Sequence, residues 1–139
     1  FGNQGLSREN TERLAKSARG RNVSVDRGFL RFIIDGGNDV TNPICKAVGS
    51  TLVISPDDML LMPCYHFAVD SVPIQGQLYD LYHSSLVDAY RRAEGRHTFC
   101  AGCTVYCTIR GSLFRRLNPY VLPTLFSAAK HMYYLNRLY

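Results

Sequence analysis

Hydrophobic residues recur at helical spacing in several separate stretches of the chain, with polar residues on the opposite side. The spacing predicts helices at four places: residues 7–18, 26–34, 80–94 and 123–138. Asp26 is placed to cap the second helix, and Gly36-Gly37 is placed to end it. In the last helix the apolar side chains fall on one stripe, formed by Leu125, Ala128, Ala129, Met132 and Leu135.

Two short apolar runs predict a β-hairpin. Residues 51–54 and 59–62 are typical of strands, and the residues between them, Ser55-Pro56-Asp57-Asp58, are typical of a turn. Pro63 ends the second strand because it has no N–H to donate to a ladder. Residues 69–76 are expected to be irregular. The predicted fold class is therefore α+β, with a small antiparallel hairpin, flanking helices and a C-terminal helix.

Length and composition describe a globular chain of about one domain. The chain has 139 residues, of which 46% are hydrophobic, and it contains no run of 18 apolar residues and no signal-peptide pattern. It begins at Phe1 and its first methionine is Met59, so we expect it to be a piece of a longer or processed protein.

The positive charge is concentrated towards the C-terminal end. The net charge is +5, and no acidic residue follows Glu94, whereas six basic residues do: Arg96, Arg110, Arg115, Arg116, Lys130 and Arg137. Aromatic residues lie among them, a combination compatible with a nucleic acid or a membrane surface as partner. The favoured interpretation is a helix that docks on another part of the protein through its aromatic side. A nucleic acid is therefore not expected, and peripheral membrane contact is the less favoured alternative.

The five cysteines carry the most distinctive chemistry. An odd number leaves one over from a paired disulfide framework, so we expect free or metal-bound thiols in a reducing, cytoplasmic setting. Cys100 and Cys103 form a C-x2-C turn, and Cys107 would share a face with Cys103 if that piece is helical. Cys45 and Cys64 lie just outside opposite ends of the hairpin, and antiparallel pairing brings those ends together.

Four thiolates suit zinc and an iron–sulfur cluster alike. Structural zinc sites usually take two close cysteine pairs, and here the upstream pair, Cys45 and Cys64, is split by the hairpin. A cube-shaped cluster accepts ligands from several directions, which favours iron–sulfur. The remaining alternative is that some of these cysteines simply fill the core.

The order of these features resembles the C-terminal SPASM/twitch domains of radical S-adenosylmethionine enzymes. In the chain, Cys45 precedes a hairpin with a Pro-Asp turn, Pro63-Cys64 ends the second strand, and the later cysteine-rich segment follows a helix. The resemblance covers about residues 35–109, with Asp58 standing where glycine is usual in the family's turn. It implies one auxiliary 4Fe–4S cluster, because five cysteines are too few for two clusters held by cysteine alone.

The same resemblance implies a ligand set. Cys45, Cys64, Cys100 and Cys103 would hold the cluster, and Cys107 could replace Cys100 or be a spare thiol. A cluster with four protein thiolates has no open iron, so electron relay or shaping of a substrate pocket is the implied role.

The resemblance also implies the domain organisation. Residues 1–34 would be the end of, or the linker from, a missing N-terminal barrel, 35–110 the cluster domain, and 111–139 a basic, aromatic helical extension. The family's CxxxCxxC motif is absent, so S-adenosylmethionine and a second 4Fe–4S cluster would belong only to the missing part. The chain alone could not generate the radical, and its partners would be that barrel and an unidentified substrate. The alternatives are a zinc-stabilised binding module and a basic module that associates with nucleic acid or a membrane surface.

Overall fold

The computed structural model describes residues 7–17 and 25–135, which form an α+β fold. The elements, in chain order, are α1 (Arg8–Ser17), α2 (Arg27–Ile34), α3 (Ala47–Ser50), β1 (Val53–Ile54), β2 (Met59–Pro63), β3 (Ala68–Pro73), α4 (Leu78–Tyr82), α5 (Ser85–Arg92), a 3₁₀ turn (Thr98–Cys100), α6 (Tyr106–Leu113) and α7 (Val121–Leu135). The predicted fold class is confirmed. Within the described residues, no helix is long and apolar enough to cross a membrane.

The three strands form one antiparallel sheet in the order β1-β2-β3. The predicted hairpin is present, with Val53 opposite Leu61 and Ile54 opposite Leu60, although β1 is shorter than the sequence suggested. The prediction of an irregular segment over residues 69–76 is wrong, because most of it is β3, which pairs with β2 along its length. Asp70, Ser71 and Pro73 favour loops in isolation, and the ladder to β2 outweighs that local preference.

The sequence pattern predicts where α2 begins more accurately than it predicts the extent of the later helices. The Oδ1 atom of Asp26 accepts a hydrogen bond from the Phe29 N–H at 3.0 Å and caps α2 as predicted. The single helix expected over residues 80–94 is two helices, α4 and α5, because Ser84 stops the first and caps the second. The last helix, α7, begins two residues earlier than expected, at Val121.

Two apolar clusters form the core on either side of α3. The first cluster consists of Phe32, Cys45, Ala47, Ile109 and Leu113. The second consists of Val48, Leu60, Met62, Ile74 and Val87. Adjacent residues of α3, Ala47 and Val48, belong to different clusters, so this short helix joins the helical part of the fold to the sheet. Cys45, two residues before α3, is fixed by the first cluster.

Helix α7 packs with its polar side inward. Thr124 and Ser127 are buried, and the Thr124 hydroxyl donates to the Oδ1 atom of Asp26 at 2.7 Å. Gly28 of α2 permits this approach, since a Cβ there would lie 2.2 Å from the Tyr120 carbonyl oxygen. The predicted apolar stripe is consequently on the outside, with Leu125 50% exposed.

Candidate metal centre

Four of the five cysteines line a single cavity. They are Cys45, Cys64, Cys100 and Cys103, and the remaining walls come from Ala47, Pro63, His66, Phe67, Gly95, Phe99, Val105 and Thr108. Segments that are far apart in sequence are therefore brought to one place, as the hairpin pattern predicted for Cys45 and Cys64. Cys107 does not line the cavity, and its side chain is exposed.

Each of the four cysteines sits next to a different structural element. Cys45 precedes α3 and is anchored in the core, whereas Cys64 directly follows β2, where the β2–β3 pairing is irregular. Cys100 closes the 3₁₀ turn, and Cys103 lies in the loop before α6. Cys45 and Cys100 are buried, and Cys64 and Cys103 are half-buried.

The thiols influence one another electrostatically. The pKa of Cys45 is raised to about 12, mainly by burial; a hydrogen bond from the Ala47 backbone opposes the shift, and the proximity of Cys103, Cys100 and Cys64 adds to it. Burial likewise raises the pKa of Cys100, with additional repulsion from Cys103 and Cys64. Burial and mutual repulsion therefore favour the neutral thiols of Cys45 and Cys100 in the absence of a compensating cation. A metal centre would supply that charge and displace the thiol protons.

Asn38 connects the segments that carry these cysteines through its side chain. Its Oδ1 atom accepts from the Cys45 N–H at 3.0 Å, while Nδ2 donates to the carbonyl oxygens of Gly95 at 2.9 Å and Cys100 at 3.1 Å. The residue is 2% exposed, so these bonds are not shared with solvent. Asn38 is not among the candidate site residues that the sequence pattern predicts.

The backbone of Asn38 extends the same connection. Its N–H donates to the Cys103 carbonyl at 3.1 Å, and its carbonyl accepts from the Gly102 N–H at 2.9 Å. Gly37, at φ +80°, makes the approach possible, because a Cβ there would lie 2.6 Å from the Gly102 carbonyl oxygen. The Gly-Gly-Asn sequence that ends α2 is the signal from which this contact could have been suspected.

Gly95 brings another segment against the site. Its φ is +70°, and a Cβ at this position would lie 2.9 Å from the Cys45 carbonyl oxygen and 3.1 Å from the Cys45 Cβ. The sequence pattern predicts Gly95 only as the residue that ends the helix over residues 80–94. The structure instead makes it a direct neighbour of a candidate ligand.

An aromatic stack forms one wall of the cavity. The rings of Phe67 and Phe99 are stacked with centroids 4.8 Å apart, and the ring of His97 lies parallel to that of Phe99 with centroids 4.9 Å apart. The Nε2 atom of His97 is buried and has no hydrogen-bond partner within the described part of the chain. His66 also lines the cavity and is exposed. Such a wall limits water and lowers the local dielectric beside the thiols.

Glu94, which directly precedes Gly95, has a buried carboxyl group. It accepts a hydrogen bond from the Gly49 N–H, and Lys46 Nζ lies 3.8 Å from its Oε2 atom. Burial raises the pKa of Glu94 above its ordinary 4.5, and the Gly49 hydrogen bond and Lys46 oppose the shift. The folded state thus holds the proton more tightly than the unfolded state. The stability that this provides is complete below pH 4.5 and is lost as the pH rises through the raised value.

Among residues 7–17 and 25–135, no three side chains of His, Cys, Asp or Glu form a group that could hold a metal ion. Four cysteines nevertheless line one cavity, and Cys45 lies close enough to the other three for them to raise the pKa of its thiol.

Comparisons with known proteins gave no match: no family model, no curated protein and no solved structure is similar to the chain at a significant level. The family resemblance noted in the sequence therefore stays a prediction. Function has to be argued from the geometry and chemistry of the cavity.

Proposed function

We propose that Cys45, Cys64, Cys100 and Cys103 hold one 4Fe–4S cluster, and that the chain is the auxiliary-cluster domain of a radical S-adenosylmethionine enzyme. The observation that carries the proposal is the meeting of these four cysteines at one cavity, with Cys107 outside it. In a cubane cluster each thiolate binds a different iron. Its ligands therefore surround the centre, which suits four thiols around a cavity better than a single ion does.

The residues around the cavity fit such a group. Cys45 and Cys100 are buried and have raised pKa values, so both would give up protons to a cationic centre and not to solvent. Phe67 and Phe99 form an apolar wall of the cavity. When bound, the cluster would supply one-electron transfer, and the protein residues set its potential through burial and hydrogen bonding.

The proposed partner is a catalytic barrel that carries CxxxCxxC, S-adenosylmethionine and the second cluster. Support comes from the outward face of α7, which we call the α7 apolar face: Leu122, Leu125, Phe126, Met132 and Tyr133. All five are at least half exposed on one side of the helix, and Phe126 is 72% exposed. An apolar stripe of this size on the outside of a helix is typical of an interface.

Anaerobic reconstitution with iron and sulfide tests the cluster. We expect about four irons and four sulfides per chain and an absorption band at about 400 nm. Serine substitution of Cys45, Cys64, Cys100 or Cys103 should abolish stable binding, whereas Cys107→Ser, the matched control, should bind as the wild type does. Stoichiometric zinc without sulfide would favour the zinc-stabilised module, and equal loss in Cys107→Ser would refute the ligand set.

The partner proposal needs a separate measurement. Phe126→Asp should leave the far-ultraviolet circular dichroism unchanged, because the side chain is exposed, and should weaken association with a radical S-adenosylmethionine barrel supplied in trans. Binding of the wild type to anionic vesicles, lost in Phe126→Asp, would assign the α7 apolar face to a membrane surface instead.

A further inference from the structure

We infer that Asn38 is the positioning residue of the cysteine site: its carboxamide and backbone hold three of the four cysteine-bearing segments in register. The inference deepens the proposed function and rests on it for the identity of the bound group. The arrangement of the thiols themselves can be tested without any metal.

The argument begins with the number of connections. Asn38 makes five hydrogen bonds, three from its side chain and two from its backbone, to partners between 7 and 65 positions away in sequence. Cys45, Cys100 and Cys103 each provide one of the bonded backbone groups. Cys64 provides no such group, and its position is set by the end of β2, which it directly follows. Loss of the Asn38 side chain should therefore affect Cys45 and Cys100 most, Cys103 through the loop, and Cys64 least.

The chemistry of the position requires an amide. One side-chain oxygen must accept from the Cys45 N–H, while one nitrogen must donate to two carbonyl oxygens, those of Gly95 and Cys100. Aspartate keeps the acceptor but turns a second oxygen towards two carbonyl oxygens, which repel it. Alanine removes the partner of the Cys45 N–H and of the Gly95 carbonyl in a buried place, and it leaves the Cys100 carbonyl with the Cys103 N–H alone. Asparagine alone among small side chains offers both functions in this geometry.

The chain contains a matched control in Asn118. Its Nδ2 atom also donates to two carbonyl oxygens, those of Leu113 at 2.7 Å and Arg116 at 2.9 Å, and its Oδ1 atom accepts from the Tyr120 N–H at 3.0 Å. These bonds have the same donor and acceptor pattern, but they are local, within the segment from the last residue of α6 to the loop before α7, and Asn118 does not line the cavity. Substitution at Asn118 therefore reports the cost of losing such a clamp away from the cysteines.

The experiment compares Asn38→Ala and Asn38→Asp with Asn118→Ala and Asn118→Asp. In the metal-free protein, alkylation by iodoacetamide is followed at each cysteine by mass spectrometry, with circular dichroism as the check on folding. In the Asn38 variants we expect Cys45 and Cys100 to react roughly tenfold faster than in the wild type, the change equivalent to about one net hydrogen bond, with Cys64 little altered. The Asn118 variants should react as the wild type does.

Two further readouts complete the test. Iron and sulfide uptake should fall to roughly half or less in folded Asn38 variants and stay normal in the Asn118 variants. For Asn38→Asp, the alkylation rate is divided by that of the wild type at the same pH. This ratio should fall towards one as the pH is lowered, because a protonated carboxyl group can donate a hydrogen bond again. This recovery is specific to the hydrogen bonds at this position.

The outcomes separate the two proposals. If the wild type binds no cluster, the proposed function falls, while selective exposure of Cys45 and Cys100 would still support the role of Asn38. If the wild type binds a cluster and the Asn38 variants match the Asn118 variants in uptake and alkylation, the inference is overturned. It is equally overturned if both Asn38 variants fail to fold while both Asn118 variants fold, since Asn38 would then serve the whole fold.

Discussion

The close approach of Gly37 to the cysteine-bearing loop can be tested by adding a single methyl group. Gly36 and Gly37 end α2 together: the Gly36 N–H donates to the Ile33 carbonyl and the Gly37 N–H to the Phe32 carbonyl, as in a Schellman motif. Both glycines have positive φ, +102° and +80°. Alanine is strained at either position, so the two substitutions share one cost.

The second cost applies to Gly37 alone. A Cβ at Gly37 would lie 2.6 Å from the Gly102 carbonyl oxygen and 3.0 Å from that of Cys103, whereas a Cβ at Gly36 would meet nothing within 4 Å. The obstructing atoms belong to the backbone and cannot rotate away. Strain at positive φ costs about 1–3 kcal/mol in both variants, and overpacking adds about 1–3 kcal/mol in Gly37→Ala.

Equilibrium unfolding in urea, followed by far-ultraviolet circular dichroism, measures the difference. With a slope of about 2 kcal/mol/M, an additional loss of about 2 kcal/mol lowers the midpoint of Gly37→Ala by about 1 M relative to Gly36→Ala. Alkylation of the metal-free protein should also become faster at Cys103 in Gly37→Ala only. Equal midpoints for the two variants would refute the contact between residues 37 and 102, and with it the placement of Asn38.

Three other features give predictions, each of which needs one variant or one reagent. In the wild type, the unfolding free energy should fall as the pH rises above 4.5, and in Glu94→Gln this fall should be smaller, as measured by urea denaturation at a series of pH values. The same pH dependence in both proteins would contradict the raised pKa of Glu94. Tyr90→Phe should lower the unfolding free energy by about 0.5–1.5 kcal/mol, because the Tyr90 hydroxyl donates to Asp70 Oδ2 at 2.5 Å and joins α5 to β3; a loss near zero in thermal or urea unfolding would argue against this bond. In the metal-free wild type at pH 8, iodoacetamide should modify the exposed Cys107 first and Cys45 last, because Cys45 is buried and has a pKa of about 12. The reverse order, found by mass spectrometry, would contradict the burial described for the site.

The sequence alone predicted the features that depend on neighbours in the chain. The Ser-Pro-Asp-Asp turn between two apolar runs predicted the hairpin, and Asp26 and Gly36-Gly37 predicted both ends of α2. Turn chemistry and helix caps are satisfied by residues a few positions apart, so they can be recognised locally. The expectation that the hairpin brings Cys45 and Cys64 to one place follows from the same local pairing.

The tertiary structure decided what local pattern leaves open. Strand β3 forms because β2 offers it a ladder, and α7 exposes its apolar stripe because Thr124 and Ser127 bond to the start of α2. Asn38 acquires its role only when segments up to 65 positions away reach it. In each case the deciding partner is remote in sequence.

The choice among the cysteines shows the difference most directly. From the sequence, Cys103 and Cys107 would share a face if their segment were helical, and that condition could not be settled from spacing. Helix α6 begins at Tyr106, so Cys103 stays in the loop at the cavity while Cys107 sits on the exposed first turn. The chain itself determined that thiols would gather, because the hairpin and the C-x2-C turn are local. The point at which α6 begins decided that Cys103, and not Cys107, lines the cavity.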